Sequence, residues 1–231
     1  LTPELETRLQ AAVTKAELED LYLPYKPKRR TRAQIAREHG LEPLAELLLA
    51  DRSLDPAAAA AGFVTADVPD AKAALDGARD ILTERFAEDA DLLGRLRGYL
   101  RERAVLCARV VPGKEEAGNK FADYFDHREA WSGVAGHRVL AMLRGRNEEV
   151  LTLDLEVDAD DPAPVKPVER MIAATHTIAL DGGAADRWLL DVVRWTWRVR
   201  LQVSLAVDLM MELRARAEAE AIEVFARNVK D

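Results

Sequence analysis

The stretch LEDLYLPYKPKRRTRAQIAREHGLEPLAEL, residues 18–47, decides the fold and the function expected of this chain. Pro24 and Pro27 interrupt a helical pattern and predict an extended segment, because proline lacks an amide proton and restricts its neighbours. After that segment the pattern predicts a helix over 32–39, a left-handed turn at Gly40 and a second helix over about 42–50. This is the order of a helix-turn-helix pair.

The same stretch concentrates positive charge in an acidic protein. Six cations and no acidic residue fall within residues 26–37, although the chain of 231 residues has a formal net charge of −8. Such a patch indicates contact with a polyanion such as RNA or DNA, made to phosphates without sequence readout. The alternative is that these side chains pair with acidic residues elsewhere on the surface. The candidate nucleic-acid-binding residues are Lys26, Lys28, Arg29, Arg30, Arg32 and Arg37.

The second helix of the pair does not suit a role in reading DNA sequence. It carries Glu42 and Glu46 and is followed by Asp51, and no cation appears before Arg52. A recognition helix must enter the major groove, which is strongly negative. We therefore expect a helix-turn-helix pair whose second helix does not bind in the DNA major groove.

Helical patterns extend outward from this stretch in both directions. Thr2 precedes a proline at a helix start, and Thr14 with Glu17 forms the spacing of a capping box. Beyond residue 200 there is neither glycine nor proline, which predicts one helix of about 45 Å at 1.5 Å per residue. Its apolar stripe runs through Met210, Leu213, Ala217, Ala221 and Val224.

One region changes its hydrophobic period. Val105–Val111 is a short apolar run, and residues 150–157 alternate apolar and polar side chains as a half-buried strand does. We expect residues 138–143 and 150–157 to form an antiparallel hairpin across the polar turn 144–149.

These patterns together predict a mainly α fold. The expected architecture is a multi-helical bundle with a helix-turn-helix-like segment, a small β-hairpin region and a long C-terminal spanning helix. We expect three parts: residues 1–60 with the basic linker, residues 61–165 with the β region, and residues 166–231 with the long helix.

Composition narrows the class of protein. Apolar residues make up 48% of the chain, which is enough for a sizeable core. The single Cys107 excludes an internal disulfide framework. No apolar run approaches the roughly 18 residues of a membrane span, and no signal peptide is visible. We expect a cytoplasmic protein without membrane contact.

Catalytic patterns are weak. The four histidines show no metal-ligand spacing, and no phosphate-binding glycine loop appears. Asp123, Asp126 and His127 suggest a metal site, but a turn with capping aspartates explains them better. Trp195 and Trp197 lie among arginines and could stack on bases, although packing within a helix is the simpler interpretation. We expect no enzyme activity, no metal and no cofactor.

Several segments resemble the bacterial Tex family of transcription accessory proteins. The first is LYLPYKPKRRTRAQIAREHGLEPLA within the stretch quoted above. Others follow in the family's order: ALDGARDILTERFAEDA at 74–90, NKFADYFDHRE at 119–129, HRVLAMLRGRNE at 137–148 and AEAEAIEVFARNVKD at 217–231. Two positions depart from the family pattern, which usually has Pro-Ser at Ala135-Gly136 and often glycine at Glu149.

The resemblance implies the N-terminal, mostly helical part of a longer protein. Family members continue into a ribonuclease-H-like domain, helix-hairpin-helix repeats and an S1 domain, none of which this sequence contains. The expected function is a non-catalytic scaffold that supports nucleic-acid binding in transcription. The alternative is a protein-interaction module that docks the transcription machinery without touching nucleic acid. A hydrolase activity would come only from the absent domains.

Overall fold

Helices dominate the computed structural model of this protein, which describes residues 2–26 and 30–228. This confirms the mainly α fold class. Within the described residues, no helix is both long and apolar enough to cross a bilayer. In chain order the helices are α1 (Pro3–Ala11), α2 (Lys15–Tyr22), α3 (Arg32–Glu38), α4 (Glu42–Ala50), α5 (Pro56–Ala61), α6 (Ala71–Ala87), α7 (Ala90–Arg103), α8 (Gly136–Asn147), α9 (Pro167–Thr175), α10 (Ala184–Thr196) and α11 (Gln202–Asn228).

The chain forms two compact units, each made from segments that are distant in sequence. Unit 1 combines Leu1–Leu96 with Ala163–Gln202, and unit 2 combines Arg97–Pro162 with Val203–Asp231. Unit 1 is helical, whereas unit 2 contains a small sheet as well as helices.

Capping side chains start the first two helices where the sequence predicts. The Thr2 hydroxyl accepts a hydrogen bond of 3.3 Å from the Leu5 amide. At α2, the Thr14 hydroxyl accepts from the Glu17 amide at 3.2 Å, and the Glu17 carboxylate accepts from the Thr14 amide at 3.4 Å. Such caps satisfy amides that a helix leaves without partners, and each contributes about 1 kcal/mol.

The segment after α2 differs in part from the extended conformation that its prolines predict. Leu23–Tyr25 forms a 3-10 turn, and the chain becomes extended only at Lys26. Proline is compatible with a first helical turn, because its fixed φ suits that position and its missing amide is not needed there. Pro24 occupies such a position, whereas Pro27 lies outside the described residues.

The helix-turn-helix pair is confirmed, and a glycine on a third helix lets it pack closely. Gly40 has a φ of +74° between α3 and α4, the left-handed conformation that favours glycine. On α6, a side chain at Gly77 would collide with Leu41 and press against Ala36. The absence of a Cβ at Gly77 therefore allows α3 to approach α6.

Helix α6 is the centre of unit 1, where it packs against α3, α4, α5 and α10. Its inward face consists of apolar side chains at helical spacing, including Ala74, Ala78, Ile81, Leu82 and Phe86, none of which has any solvent exposure. Burying such a face supplies most of the stability of a helix of this length, since propensity alone is marginal.

An aromatic pair, the buried Phe86 and the half-buried His176, closes one end of this core. The His176 ring stacks on Phe86 with 3.8 Å between ring centroids, and His176 Nε2 is buried without a hydrogen-bond partner. Arg52 donates to the His176 carbonyl at 3.2 Å. Burial lowers the pKa of His176, because a charged ring would lose its hydration there.

Unit 2 contains a three-stranded antiparallel sheet in the order β2-β1-β3, which confirms the small antiparallel β region. The central strand is β1 (Val105–Val110), with β2 (Asp126–Ala130) and β3 (Leu151–Glu156) on its two sides. In the register, Cys107 lies opposite Arg128 on one side and Asp154 on the other.

The hairpin predicted within this region is wrong in one of its strands. Residues 138–143 belong to α8, and β3 pairs with β1 instead. The apolar residues of α8 follow helical spacing, with Val139, Met142 and Leu143 buried on one face. The segment is apolar, as expected, but its apolar residues recur with the period of a helix and not with that of a strand.

Helix α11 packs along its first half, as its apolar stripe predicts. Leu205, Leu209, Leu213 and Ala217 are buried at four-residue spacing. The Trp131 indole donates to the Leu209 carbonyl at 3.2 Å. Beyond Ala217 the helix is exposed, and the last two members of the predicted stripe, Ala221 and Val224, are not buried.

One departure from the family pattern coincides with unusual backbone geometry. Glu149, between α8 and β3, has a φ of +59°. This left-handed conformation brings the Cβ of a non-glycine residue close to its own carbonyl and costs roughly 1–2 kcal/mol. The family's frequent glycine at this position avoids that cost.

We expect Glu149→Gly to stabilise unit 2 by about 0.5–1 kcal/mol, since relief of the strain exceeds the extra entropy that glycine loses on folding. Chemical denaturation followed by circular dichroism measures the change. Glu149→Ala is the control, because it removes the carboxylate but keeps the Cβ. An equal gain in both variants would attribute the effect to charge instead of backbone strain.

Two substitutions on α11 should separate its packed half from its exposed end. Leu213 has no solvent exposure, and an aspartate there would bury an unpaired charge and unfold unit 2. Phe225 is 70% exposed, so Phe225→Asp should leave the thermal unfolding curve unchanged. Equal destabilisation by both changes would mean that the helix end belongs to the core.

The buried His176 ring predicts a loss of stability in acid. Its folded pKa lies below the unfolded value of about 6.5, so the stabilisation is complete above that pH and is lost as pH falls below it. We expect His176→Phe to flatten the decrease in unfolding free energy between pH 7 and pH 5. His137→Phe, at an exposed position, should leave the decrease in place.

Candidate nucleic-acid interface

Four of the basic residues proposed from sequence are described, all in unit 1: Lys26 and Arg30 precede α3, Arg32 begins it, and Arg37 lies in its last turn. Of the six, Lys28 and Arg29 lie outside the described residues. The Thr31 hydroxyl caps α3 by accepting from the Gln34 amide at 3.0 Å. This cap fixes where the helix begins and therefore where Arg30 and Arg32 leave the backbone.

Arg37 is held inside the fold by two carboxylates. It donates to Glu84 of α6 at 2.7 Å and to Glu42 of α4 at 3.3 Å. Burial disfavours the charged guanidinium, but the hydrogen bonds and charges of Glu84 and Glu42 outweigh burial and raise the pKa of Arg37. Arg37 thus joins three helices.

Glu84 is the buried centre of this arrangement. Its side chain is only 8% exposed, and it also accepts from the Thr31 hydroxyl at 3.1 Å. A buried carboxylate is costly unless cations and donors satisfy it, and Arg37 and Thr31 supply both. The basic segment is consequently anchored on α6.

The other cations of the group differ in how far they are neutralised. Arg30 donates to the exposed Glu38 carboxylate at 2.5 and 3.2 Å, and this hydrogen bond lowers the pKa of Glu38. Lys26 and Arg32 are exposed and form no side-chain hydrogen bond or ion pair with another described residue. Lys26 and Arg32 are therefore the cations most available to an external anion.

Two neighbouring clefts surround these side chains. One is lined by Lys26, Arg30 and Arg37, together with the carboxylates Glu84 and Glu88 and with Pro24, Thr31 and Gln34. The second shares Thr31 and Glu84 with the first. Its other lining residues are Arg32, Ala33, Asp80, Thr83, Trp195, Val199 and Arg200. Because the clefts share a wall, the basic surface extends from the start of α3 to the end of α10.

Aromatic side chains occur at both ends of this surface. Tyr22 and Tyr25, just before Lys26, are 51% and 61% exposed. At the other end, the Arg79 guanidinium lies 4.5 Å from the Trp195 ring centroid. Trp197 is only 8% exposed, which agrees with the packing interpretation for that residue. In the sequence Trp195 lies among arginines, but α3 and α10 are distant in the chain. No pattern in the sequence therefore connects Trp195 with the basic residues of α3.

Helix α4 presents no cation where a recognition helix would need one. Glu46 pairs with Arg85 of α6, and Glu42 pairs with Arg37. The apolar residues Leu44, Ala45 and Leu48 face the core. A face of this composition does not suit the major groove.

Of the residues considered for a metal site, His127 has partners of its own. His127 lies 3.0 Å from a Glu129 carboxylate oxygen, and Arg138 donates to the same carboxylate at 2.9 Å. The His127 ring also contacts Tyr124 edge-on at 5.5 Å. Across residues 2–26 and 30–228, no three His, Cys, Asp or Glu side chains form a group suited to a metal ion.

Comparison with known proteins finds relatives along the whole chain. A family model described as Tex central region-like matches residues 51–225. Protein YhgF of Escherichia coli (strain K12) is 55% identical over 235 residues, and the transcriptional accessory protein Tex of Neisseria gonorrhoeae is 51% identical over 232 residues. Each alignment covers 100% of this chain and 30% of the relative.

A more distant relative is human. S1 RNA-binding domain-containing protein 1 of Homo sapiens is 31% identical over 154 residues, which cover 61% of this chain and 15% of that protein. The chain thus spans less than a third of the length of the curated relatives it matches. With a matching family model over most of its residues and bacterial relatives above 50% identity, the chain belongs to the Tex family of transcription accessory proteins.

Proposed function

We propose that this chain is a non-catalytic helical scaffold of a cytoplasmic transcription accessory protein, and that its basic surface contacts RNA or DNA phosphates without reading sequence. One observation carries the proposal: Lys26 and Arg32 are exposed beside two clefts and form no hydrogen bond or close ion pair with another described residue, although Arg32 also attracts the Asp80 carboxylate, in a chain of net charge −8. Solvated cations on an acidic protein favour a polyanionic partner.

The geometry of the surface supports phosphate contact in preference to base recognition. Lys26 follows the turn after α2, Arg30 directly precedes the capping residue Thr31, and Arg32 lies on the first turn of α3, so their charges belong to the surface of unit 1. Such contacts bind through release of counterions and depend strongly on salt. The acidic face of α4 argues against sequence readout in the major groove.

The non-catalytic part of the proposal rests on how the candidate side chains are engaged. A general base needs a free nitrogen or oxygen within reach of a substrate. His127 Nε2 contacts Glu129, which is itself paired with Arg138, and within the described residues His127 belongs to no group of three His, Cys, Asp or Glu side chains suited to a metal ion. Any hydrolysis by a longer protein of this family would on this view arise in its other regions.

A protein-interaction module is the second candidate, and a groove in unit 2 favours it. Leu153 and Leu155 of β3 form one wall, and Val207 and Met211 of α11 form the other. Val207 and Met211 are 54% and 67% exposed, and methionine adapts readily to apolar partners. The transcription machinery is the partner class that the family suggests. Under this alternative, Met211→Asp would abolish capture of RNA polymerase while nucleic-acid affinity stayed unchanged.

The binding proposal predicts a uniform loss of affinity when the basic surface is neutralised. We expect the triple change Lys26→Ala, Arg30→Ala and Arg32→Ala to weaken binding by a similar factor for unrelated sequences. The dependence of log K on log salt should flatten by about 0.9 per lost duplex-DNA phosphate contact. Fluorescence anisotropy at several salt concentrations gives both quantities.

A control with the same change in charge tests whether the position of the patch matters. Lys120, Arg144 and Arg214 of unit 2 each pair with a glutamate, and their replacement by alanine also removes three positive charges. We expect this control to retain both affinity and salt slope. An equal loss of affinity in both triple variants would show that only the net charge matters. An unchanged affinity in the Lys26, Arg30 and Arg32 variant would refute phosphate contact.

A further inference from the structure

The second cleft of unit 1 combines an aromatic ring with unpaired positive charge. Trp195 lies at the end of α10 and is partly exposed, with Arg32 and Val199 also lining the cleft. Trp197, two residues later, is buried and contributes to the core. The two tryptophans thus have different roles, and only Trp195 reaches the basic surface.

Two guanidinium groups lie against the Trp195 ring, and they are held differently. Arg79 is 4.5 Å from the ring centroid and is fixed by Asp76 at 2.8 Å. Arg198 is 5.5 Å from the centroid and exposed, without a hydrogen bond or ion pair to another described residue. Arg198 is therefore a cation that can move to admit a planar group while Arg79 supports the ring.

The backbone at this point departs from an ordinary α-helix. Trp197–Leu201 forms a π-helical turn between α10 and α11. The turn buries Trp197 and Leu201, and it leaves Arg198, Val199 and Arg200 exposed beside Trp195. Turns of this kind carry one residue more per turn than an α-helix and occur frequently at functional sites.

The carboxylates that line the cleft are already compensated. Glu84 is bound by Arg37 and by the Thr31 hydroxyl. Asp80 lies 4.0 Å from Arg79. Burial raises the pKa of Asp80, although both Arg79 and Arg32 attract its carboxylate. The cations most available to an external ligand are Arg198 and Arg32, which form no hydrogen bond or close ion pair with another described residue.

We propose that this cleft binds a nucleotide unit of single-stranded RNA or DNA, with its base stacked at Trp195 and Arg198 and its phosphate beside Arg32. The inference rests on the proposed function and deepens it, because it adds a contact that only an unpaired base can make. In a duplex the bases are stacked on each other and cannot reach a partly buried ring, whereas duplex phosphates remain accessible to the rest of the patch.

The experiment compares three labelled probes of equal length, oligo(U) RNA, oligo(dT) DNA and a mixed-sequence DNA duplex, on the 231-residue chain. We expect Trp195→Ala to weaken binding of both single strands at least about fivefold, the lower range of one base-aromatic stack. Duplex affinity and the salt slope should not change, since stacking releases no counterions. Trp195→Phe should retain most of the single-strand affinity, and Trp188→Ala on the same helix should retain all of it.

The outcomes separate this inference from the proposed function. Unchanged single-strand affinity in Trp195→Ala, with a loss in the patch variant, would overturn the stacking site and leave phosphate contact in place. No loss in either variant would overturn both. An oligo(U) loss much larger than the oligo(dT) loss would assign the site to RNA, and the reverse would assign it to DNA.

Two further measurements guard against a trivial explanation. If Trp195→Ala lowers the melting temperature, Arg198→Glu decides instead, because Arg198 is exposed; we expect it to lose single-strand affinity with an unchanged melting curve. Poly-glutamate is the competitor that represents an acidic protein partner. Displacement of oligo(U) by poly-glutamate at equal charge concentration would show a general anion site and overturn the assignment to nucleotides.

Discussion

A buried carboxylate determines the architecture of unit 1 around the candidate interface. Glu84 projects from the central helix α6, and its charge is satisfied by Arg37 of α3 and by the Thr31 hydroxyl that caps the same helix. Removing Arg37 would take the cation of this pair away from a carboxylate in a poorly hydrated place, which costs far more than an exposed ion pair contributes. The requirement to satisfy Glu84 therefore fixes the position of α3 and of its capping residue Thr31.

This requirement divides the cations of the basic segment into two groups. Arg37 forms ion pairs with carboxylates of α4 and α6, whereas Arg32, on the same helix but exposed, forms no hydrogen bond or close ion pair and only attracts the Asp80 carboxylate. A count of charges in the sequence cannot make this distinction, since it depends on which carboxylates of α4 and α6 come near. Arg37 thus fits the interpretation in which the basic residues pair with carboxylates of the protein. Arg32 fits the interpretation in which they remain available to a polyanion.

Helix caps and turns, which depend on neighbouring residues, could be predicted from the sequence. The pairing of segments that are distant in the chain could not. The caps at Thr2 and Thr14 and the turn at Gly40 are set by neighbouring residues, so the helices begin and end close to the predicted positions. The strand predicted at 138–143 failed because its apolar residues suit a helix face, and because the true partner of β3 lies more than 40 residues earlier in the chain. The arginines beside Trp195 are visible in the sequence. The cleft at Trp195 is also lined by residues of α3 and α6, and no local pattern connects these helices with α10.

Net charge and local charge act on a polyanion over different distances. At physiological ionic strength the Debye length is about 8 Å, so most of the chain's net charge of −8 is screened from a strand that touches the patch. Contacts at Lys26 and Arg32 lie within that distance and keep their attraction. At low salt the screening length grows to about 30 Å, and repulsion from the acidic remainder then reaches the strand as well. If the patch binds a strand, this repulsion would oppose the usual gain in affinity on lowering the salt concentration. The contact of a base with the Trp195 ring does not depend on counterions, so it would contribute equally at low and at physiological salt.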